Sequence, residues 1–408
     1  MRYFIVIAVL LATVFCGLGA LAGEEVVRDG VLHVVNGATP RDGVQTLDFE
    51  EVWRAGGEDG EDFFGLISKV LIDDDGTIYL LDTRLSEVPV YSPEGERLGT
   101  LSREGDGPGE TRMPTNMVFM PDGNLGLVQS YPGKIVKIDR QGVPAGDFEP
   151  KLPDAGFMML LDGFTNRQGL LTLVGMNVKQ ESQTKGDNIT FVSSFGDDGQ
   201  EKVRFVEQHN VVDYQKFRFD EDQQDEVKYR QAAVGADGRV YVTLVRNAYE
   251  IRVFKPDGGL ERIIQREYTP RRRTDEEYQE IADLVKRQAR QLPGARLNIS
   301  RVHRDINSLR MGQDGNLWVT TSRSGIDQPD GVLAAFDVFS PDGHFLRQVR
   351  FRFPGNGEED AVFFAPNGDA VVVTGFTAAL ESLMDMNKAS DDSEEAAPME
   401  VIYLKAVH

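Results

Sequence analysis

Sulfur and imidazole are scarce in this chain of 408 residues: one cysteine, Cys16, and five histidines. Cys16 lies in the leading apolar stretch, so the chain beyond it has neither a disulfide nor a thiol nucleophile. His33, His209, His303, His344 and the terminal His408 are far apart, and no His-Glu-x-x-His joins any two. A histidine-based metal site is therefore not expected. There is no Gly-x-Ser-x-Gly elbow for a serine hydrolase. Positive charge is also short: 44 Lys and Arg against 66 Asp and Glu leave a net charge of −22. Such a surface repels nucleic acid and anionic membranes.

The long apolar run is confined to the start, "MRYFIVIAVLLATVFCGLGALAGEE". Arg2, the run Tyr3 to Phe15 and Ala20-Leu21-Ala22 before Gly23 have the pattern of a secretory signal peptide over 1–22. The apolar core is short for a bilayer span of about 20 residues, so no membrane insertion is expected after cleavage. Bulky Phe15 before Cys16 argues against lipid attachment there. The expected product is exported, periplasmic or secreted, and monomeric. Residues 23–43 read as an N-terminal extension.

What the chain has in quantity is turns. "VLIDDDGTIYLLD" (70–82), "MVFMPDGNLGLVQ" (117–129), "AAVGADGRVYVTL" (232–244), "SLRMGQDGNLWVT" (308–320) and "VFFAPNGDAVVVT" (362–374) are each a strand, an Asp-Gly or Asn-Gly turn and a second strand. Those dipeptides tolerate the backbone angles of a tight hairpin. "MLLDGFTNRQGLLTLVG" (159–175) fits less well. A second hairpin follows the first five in chain order, such as "VPVYSPEGERLGTL" and "AFDVFSPDGHFLRQV", giving five units of four strands A–D. The sixth has A, B and the single strand "MEVIYLKAV" (399–407), while "TLDFEEVW" (46–53) is left over near the start. A β-solenoid or stacked sandwiches also consist of hairpins. An orphan strand at each end favours an all-β, six-bladed β-propeller over 44–408, its four-stranded antiparallel blades closed by the N-terminal strand completing the last.

"ISKVLIDDDGTIYLLDTRLSEVPVYSPEGERLGTL" resembles the NHL-type repeat, and "REGDGPGE" resembles the Gly-rich signature of a bacterial family of exported six-bladed propellers related to NHL proteins. The likeness covers about residues 44–408 and implies the fold; that family has no agreed reaction.

The A–B and C–D turns are short, whereas the D–A connections 103–116, 207–229 and 265–306 and the B–C connections 177–189, 321–334 and 375–398 are long. In a propeller these long connections share one face, and loops on a rigid scaffold commonly carry function. Within the insert 265–306, Thr274 and Glu277 form a capping box. Tyr278, Ile281, Ala282, Val285 and Ala289 follow at helical spacing, predicting a helix over about 274–291. It reads either as a lid or brace lying on the looped face, or as a helix whose stripe merely packs on neighbouring loops while its Arg and Lys pair with "DEDQQDE" (220–226). The segment 262–310 is locally basic, with twelve Lys/Arg against seven Asp/Glu.

Aligning the units on the glycine of each A–B turn places Lys69, Asn116, Asp162, Gln231, Ser308 and Ala361 seven residues before it. Ser68, Thr115, Leu161, Arg230, Asn307 and Asp360 stand eight before it, with mostly apolar positions following. This predicts a polar collar above an apolar wall. Asn116, Asp162, Asn307 and Asp360 offer oxygens for a possible Ca²⁺, which takes six to eight; a water-filled polar channel needs no metal, and no cofactor is otherwise expected. Ligand contacts are expected from Lys69, Asn116, Asp162, Arg230, Gln231, Asn307 and Asp360 in the collar and from Arg103, Asp106 and Glu110 in the Gly-rich loop. "GDGPGE" lacks the Lys-Ser/Thr of a phosphate cradle. The expected function is a non-catalytic platform binding a protein, peptide or small molecule on the looped face. The alternative is a metal-dependent hydrolase of the lactonase type, or a lyase, at the channel mouth.

Overall fold

In a computed structural model the described residues are 23–407, without 59, 153–155, 167–168, 226, 228–229, 293, 366 and 385–397. The expected leader 1–22, with Cys16, lies outside them, as do parts of the loops 207–229 and 375–398. No helix among the described residues is long and apolar enough to cross a membrane.

The chain is mostly β, and its strands group in the order in which they occur. The first sheet holds Ile67–Ile72, Ile78–Asp82, Val88–Tyr91 and Arg97–Leu101; the second holds Pro114–Phe119, Leu125–Gln129, Lys134–Ile138 and Pro144–Phe148. The third runs from Phe157–Thr165 to Glu201–Asp213, the fourth from Ala232–Val234 to Leu260–Arg266, and the fifth from Ile306–Met311 to Phe345–Arg352. The last group is Ala361–Phe364, Ala370–Val373 and Glu400–Val407, with Val44–Gly56 antiparallel to Glu400–Val407. The leftover strand of the sequence is therefore longer than 46–53, and it joins the two ends of the chain in one sheet. Its first residues also pair in parallel with Gln348–Arg352 of the fifth group.

Burial explains why the second strands show no apolar–polar alternation. Every residue of Ile78–Asp82 and of Leu125–Gln129 is buried, because both faces of each strand meet a neighbouring sheet. The fourth strand Arg97–Leu101 is exposed over most of its length. Apolar clusters fill the space between successive sheets: Leu81 meets Met117, Val128 meets Leu173, and Val192 meets Val240. Ile251 shares a cluster with Val319, and Val338 with Ile402. A further cluster unites the last group with the first, through Val371 and Val401 against Ile67 and Leu80.

Several features were not in the sequence reading. Residues 177–189 are not a loop: Leu171–Ser182 and Lys185–Phe195 form one long hairpin that turns at 183–184. The strand Glu201–Asp213 likewise absorbs the first part of 207–229. The extension 23–43 is structured, with the hairpin Glu24–Arg28/Val31–Asn36 adding to the outer edge of the fourth sheet in parallel with Leu260–Arg266. Buried Asn36 fastens it by donating to Gly343 O at 2.9 Å and accepting from Phe345 N at 2.8 Å. An edge left bare there would be a pairing hazard.

The expected helix is present as α1 (Asp275–Gln288), with both halves of the Thr274/Glu277 capping box formed. A second helix, α2 (Phe376–Met384), occupies a stretch that reads as loop. Phe376, Ala379, Leu380 and Leu383, at helical spacing, pack it on the cluster between the last group and the first.

Trp53 concentrates the joint between the chain ends. Its ring stacks on Tyr91 of the first sheet at 5.3 Å and on Tyr403 at 5.6 Å, and Nε1 donates to Pro93 O at 3.1 Å. Trp53→Ala removes both stacks, and a loss of about 3 kcal/mol is expected in denaturant unfolding. A loss too small to measure would show that this strand does not bear on stability.

Candidate functional site

The collar positions lie in or just before the first strand of each group, Asp162 well inside the long strand Phe157–Thr165. In four of them the pairing slips by one residue at the same aligned place: between Ile67 and Lys69, Pro114 and Asn116, Leu160 and Asp162, and Ile306 and Ser308. A bulge re-aims the side chains beside it. The skipped residues Ser68, Thr115, Leu161 and Asn307 belong to the outer of the two aligned collar rows.

The structure brings Asn116, Asp162, Lys69 and Arg230 together. Asn116 Nδ2 donates to Asp162 Oδ1, which also accepts from Gly163 N at 2.9 Å; Asp162 Oδ2 accepts from Arg230 N at 3.2 Å. Asn116 Oδ1 is taken by Met117 N at 2.7 Å. Arg230 adopts φ +62°, a costly conformation for a side chain with a Cβ. From there it crosses the mouth, donating to Ser68 O at 3.2 Å, with its guanidinium 4.9 Å from the ring of Phe376 and 5.2 Å from that of Phe363. Burial pushes the Lys69 ammonium below its ordinary value, Asp162 opposing and Arg230 reinforcing the shift. Burial raises the Asp162 carboxyl, against the Lys69 charge and the two backbone N–H groups.

Other expected site residues are engaged elsewhere. Asp360 accepts from Asn356 N at 2.8 Å and Gly375 N at 3.0 Å, tying two loop segments. Asn307 is exposed and donates to Thr321 O at 3.1 Å. Buried Gln231 accepts from Arg304 Nη1 at 3.1 Å. In the Gly-rich loop, Arg112 holds Asp106 through two bonds of 2.9 and 2.8 Å and Glu104 at 2.9 Å; Arg103 pairs with Glu110, which also accepts from Gly107 N at 2.9 Å. Arg103, Asp106 and Glu110 thus brace their own loop. A Cβ at Gly105 would collide with the Glu110 carboxylate, which is one reason for that glycine.

Below the collar lies a cavity of about 350 Å³ lined by Lys69, Asp162, Arg230, Ser308 and the apolar residues that follow them in five first strands. A second cavity of about 520 Å³ opens among the A–B turns, and the two share Val70, Leu71, Arg310, Met311 and Phe364. Arg310 is the residue that the sequence reading passed over. Five residues before the turn glycine the other units carry Leu71, Val118, Phe164, Ala233 and Phe363, so a lone Arg at an apolar position was the available signal. Its guanidinium lies 3.8 Å from the Phe364 ring and 4.5 Å from that of Trp318. Burial pushes its pKa down to about 9, with only the charge of Asp314 opposing.

The loops around the mouth are locked by an acid. Arg218–Asp220 pairs in parallel with Arg296–Asn298. Beside them Glu221 accepts from Arg246 at 2.7 Å, from Arg273 at 2.7 and 2.8 Å and from Ser300 N at 3.0 Å. The acidic run therefore does meet the basic insert. Burial alone would raise Glu221, but the Arg273 bond, the Ser300 N–H and the two guanidinium charges hold it down at about 2.

Calcium fits this collar poorly. Asp162 is the one carboxylate lining the cavity, both its oxygens accept N–H donors, and Lys69 and Arg230 face it. Among the described residues no three His, Cys, Asp or Glu are grouped to hold a metal.

No family model and no curated protein matches the sequence. Solved structures do match by shape. A virginiamycin B lyase from Staphylococcus aureus aligns at 10% identity over 80% of this chain and 82% of its own, with a TM-score of 0.40. A calcium-binding protein, regucalcin, from Agrobacterium tumefaciens aligns at 12% over 88% and 96%, TM-score 0.42. A DUF4221 family member from Bacteroides vulgatus aligns at 11% over 88% and 98%, TM-score 0.45. These neighbours are β-propeller proteins.

Glu221 predicts a pH dependence. Its folded pKa of about 2 lies below the ordinary 4.5, so its stabilisation is complete above pH 4.5 and disappears as pH falls towards 2. The shift corresponds to about 3 kcal/mol. Glu221→Gln should remove it at neutral pH, and hydrogen exchange should show 214–225 and 265–306 opening before the sheets. Unchanged exchange in those segments would contradict the lock.

Proposed function

We propose that the chain is an exported, NHL-like six-bladed β-propeller that serves as a non-catalytic binding platform through its loop-rich face. The six strand groups, the apolar cluster uniting the last with the first and the strand Val44–Gly56 support the blade number and the closure. The leader pattern over 1–22 supports export. The observation that carries the binding role is the collar itself, where Lys69 and Arg230 stand over a cavity floored by apolar side chains. Pockets of this make-up, apolar walls with a few convergent polar groups, are how folded domains hold small ligands. Beside it the Gly-rich loop is braced by its own ion pairs and the insert 265–306 is tied down by Glu221.

A second reading has its own support. A buried ammonium pushed down beside a buried carboxyl pushed up is the direction expected of a general acid–base pair. It fits a lyase better than a lactonase centred on calcium, since the collar oxygens are poorly disposed for the ion. One assay separates the two readings. Residues 23–408 are screened by thermal shift against a metabolite panel and, in parallel, for lactone hydrolysis and elimination with and without added calcium. The platform reading expects stabilisation by a compound, lost in Lys69→Ala, without turnover. Turnover abolished by Asp162→Asn would replace it with the enzyme reading.

A further inference from the structure

Arg310 is a half-buried cation with an enclosed Nε and no ion-pair partner: Asp314, which lines the turn-side cavity with it, pairs with Arg347 instead. Among the described residues its side chain makes no hydrogen bond and no ion pair, and its Nε is enclosed without any partner. Four other enclosed arginines are met by acids: Arg246 and Arg273 by Glu221, Arg262 by Glu261, and Arg266 by Asp337. An enclosed guanidinium is costly unless its charge is met. Stacking on Phe364, Trp318 and Phe336 orients it but supplies no anion.

Its position is informative as well. Arg310 belongs to the lining of both cavities, at the level where the collar side and the turn side meet. The charged residues of the collar-side cavity are Lys69, Arg230, Arg310 and Asp162, three cations against one carboxylate, in a protein of net charge −22. Asp162 is held by N–H groups at the mouth and is absent from the lining of the cavity on the other side of Arg310. The apolar lining of this cavity includes Val70, Leu71, Phe164 and Phe363. A guanidinium recognises a carboxylate through two parallel N–H bonds, and an aromatic wall suits an apolar body behind it.

We propose that the space beneath the collar binds an organic carboxylate with an apolar body, its carboxylate on Arg310 and its apolar part against the walls towards the mouth. This rests on the binding-platform reading and narrows it to an anionic small molecule inside the fold. Lys69 and Arg230 then make entry from the looped face favourable for an anion that the acidic exterior would otherwise repel.

The experiment uses 3-phenylpropanoate and its neutral counterpart 3-phenylpropanamide as probes, with binding followed by calorimetry. Trp318 emission is followed in a Trp53→Phe background, where it is the sole tryptophan. The expected result is that the carboxylate binds, perturbs Trp318 and exceeds the amide by about tenfold or more in affinity. Arg310→Met should lose that advantage while melting at a higher temperature than the parent, because an unmatched half-buried charge has been removed. Arg310→Lys, which keeps the charge without the planar fork, should bind about tenfold more weakly than the parent. It also decides the matter if the Met variant does not fold. Equal binding of amide and carboxylate, or undiminished carboxylate affinity in Arg310→Lys, overturns the proposal and leaves the platform reading standing. Binding of neither probe, with no stabilising compound in the metabolite panel, overturns both.

Discussion

First strands from five sheets line one space of a few hundred cubic ångströms, and that convergence governs what each may carry. Most of the side chains that face one another there are apolar, and the polar ones gather beside the slips in pairing. The slip in pairing beside Lys69, Asn116, Asp162 and Ser308 belongs to the same constraint. It turns the entering chain just where the sheets would otherwise crowd. A buried acid at the mouth then needs several donors, and Asp162 finds them in a neighbouring sheet (Asn116), in its own backbone (Gly163) and in the fourth unit (Arg230). One carboxylate thereby couples three units.

The looped side is assembled by a different principle. Ends of second strands hold the loops: Asp82, fully buried, accepts from the backbone of Gly65, Leu66 and Leu85, and Gln129 accepts from Thr111 and Arg112. The long insert is held by charge, with Glu221 clasped between two arginines. These anchors tie the loops they hold to the ends of the strands and to one another.

Much of this was legible in the sequence because it is local. Asp-Gly and Asn-Gly turns, the Thr274/Glu277 box and the uniform strand spacing are decided by neighbouring residues. The third unit was misjudged at 177–189 because its strands run past their usual length, and the polar "KQESQTKGDN" looks like loop when one hairpin is unusually long. Helix α2 was hidden by its brevity and by the tertiary cluster that stabilises it. Alignment marked Lys69, Asn116, Asp162 and Arg230, which the structure brings together, yet gave no hint that Asp360 and Asn307 would turn to backbone groups, a choice made by loop paths. Arg310 was visible as an exception and lost among apolar neighbours.

Val44–Gly56 has its antiparallel partner, Glu400–Val407, about 350 residues further along the chain. Pairing at such sequence separation is intrinsically slow, so this strand finds its place late. Until then the apolar residues of Val371, Val401 and Ile67 that meet across the joint remain uncovered. A strand that waits so long for its partner is a pairing hazard, and its acids Asp48, Glu50 and Glu51 work against pairing elsewhere in the meantime.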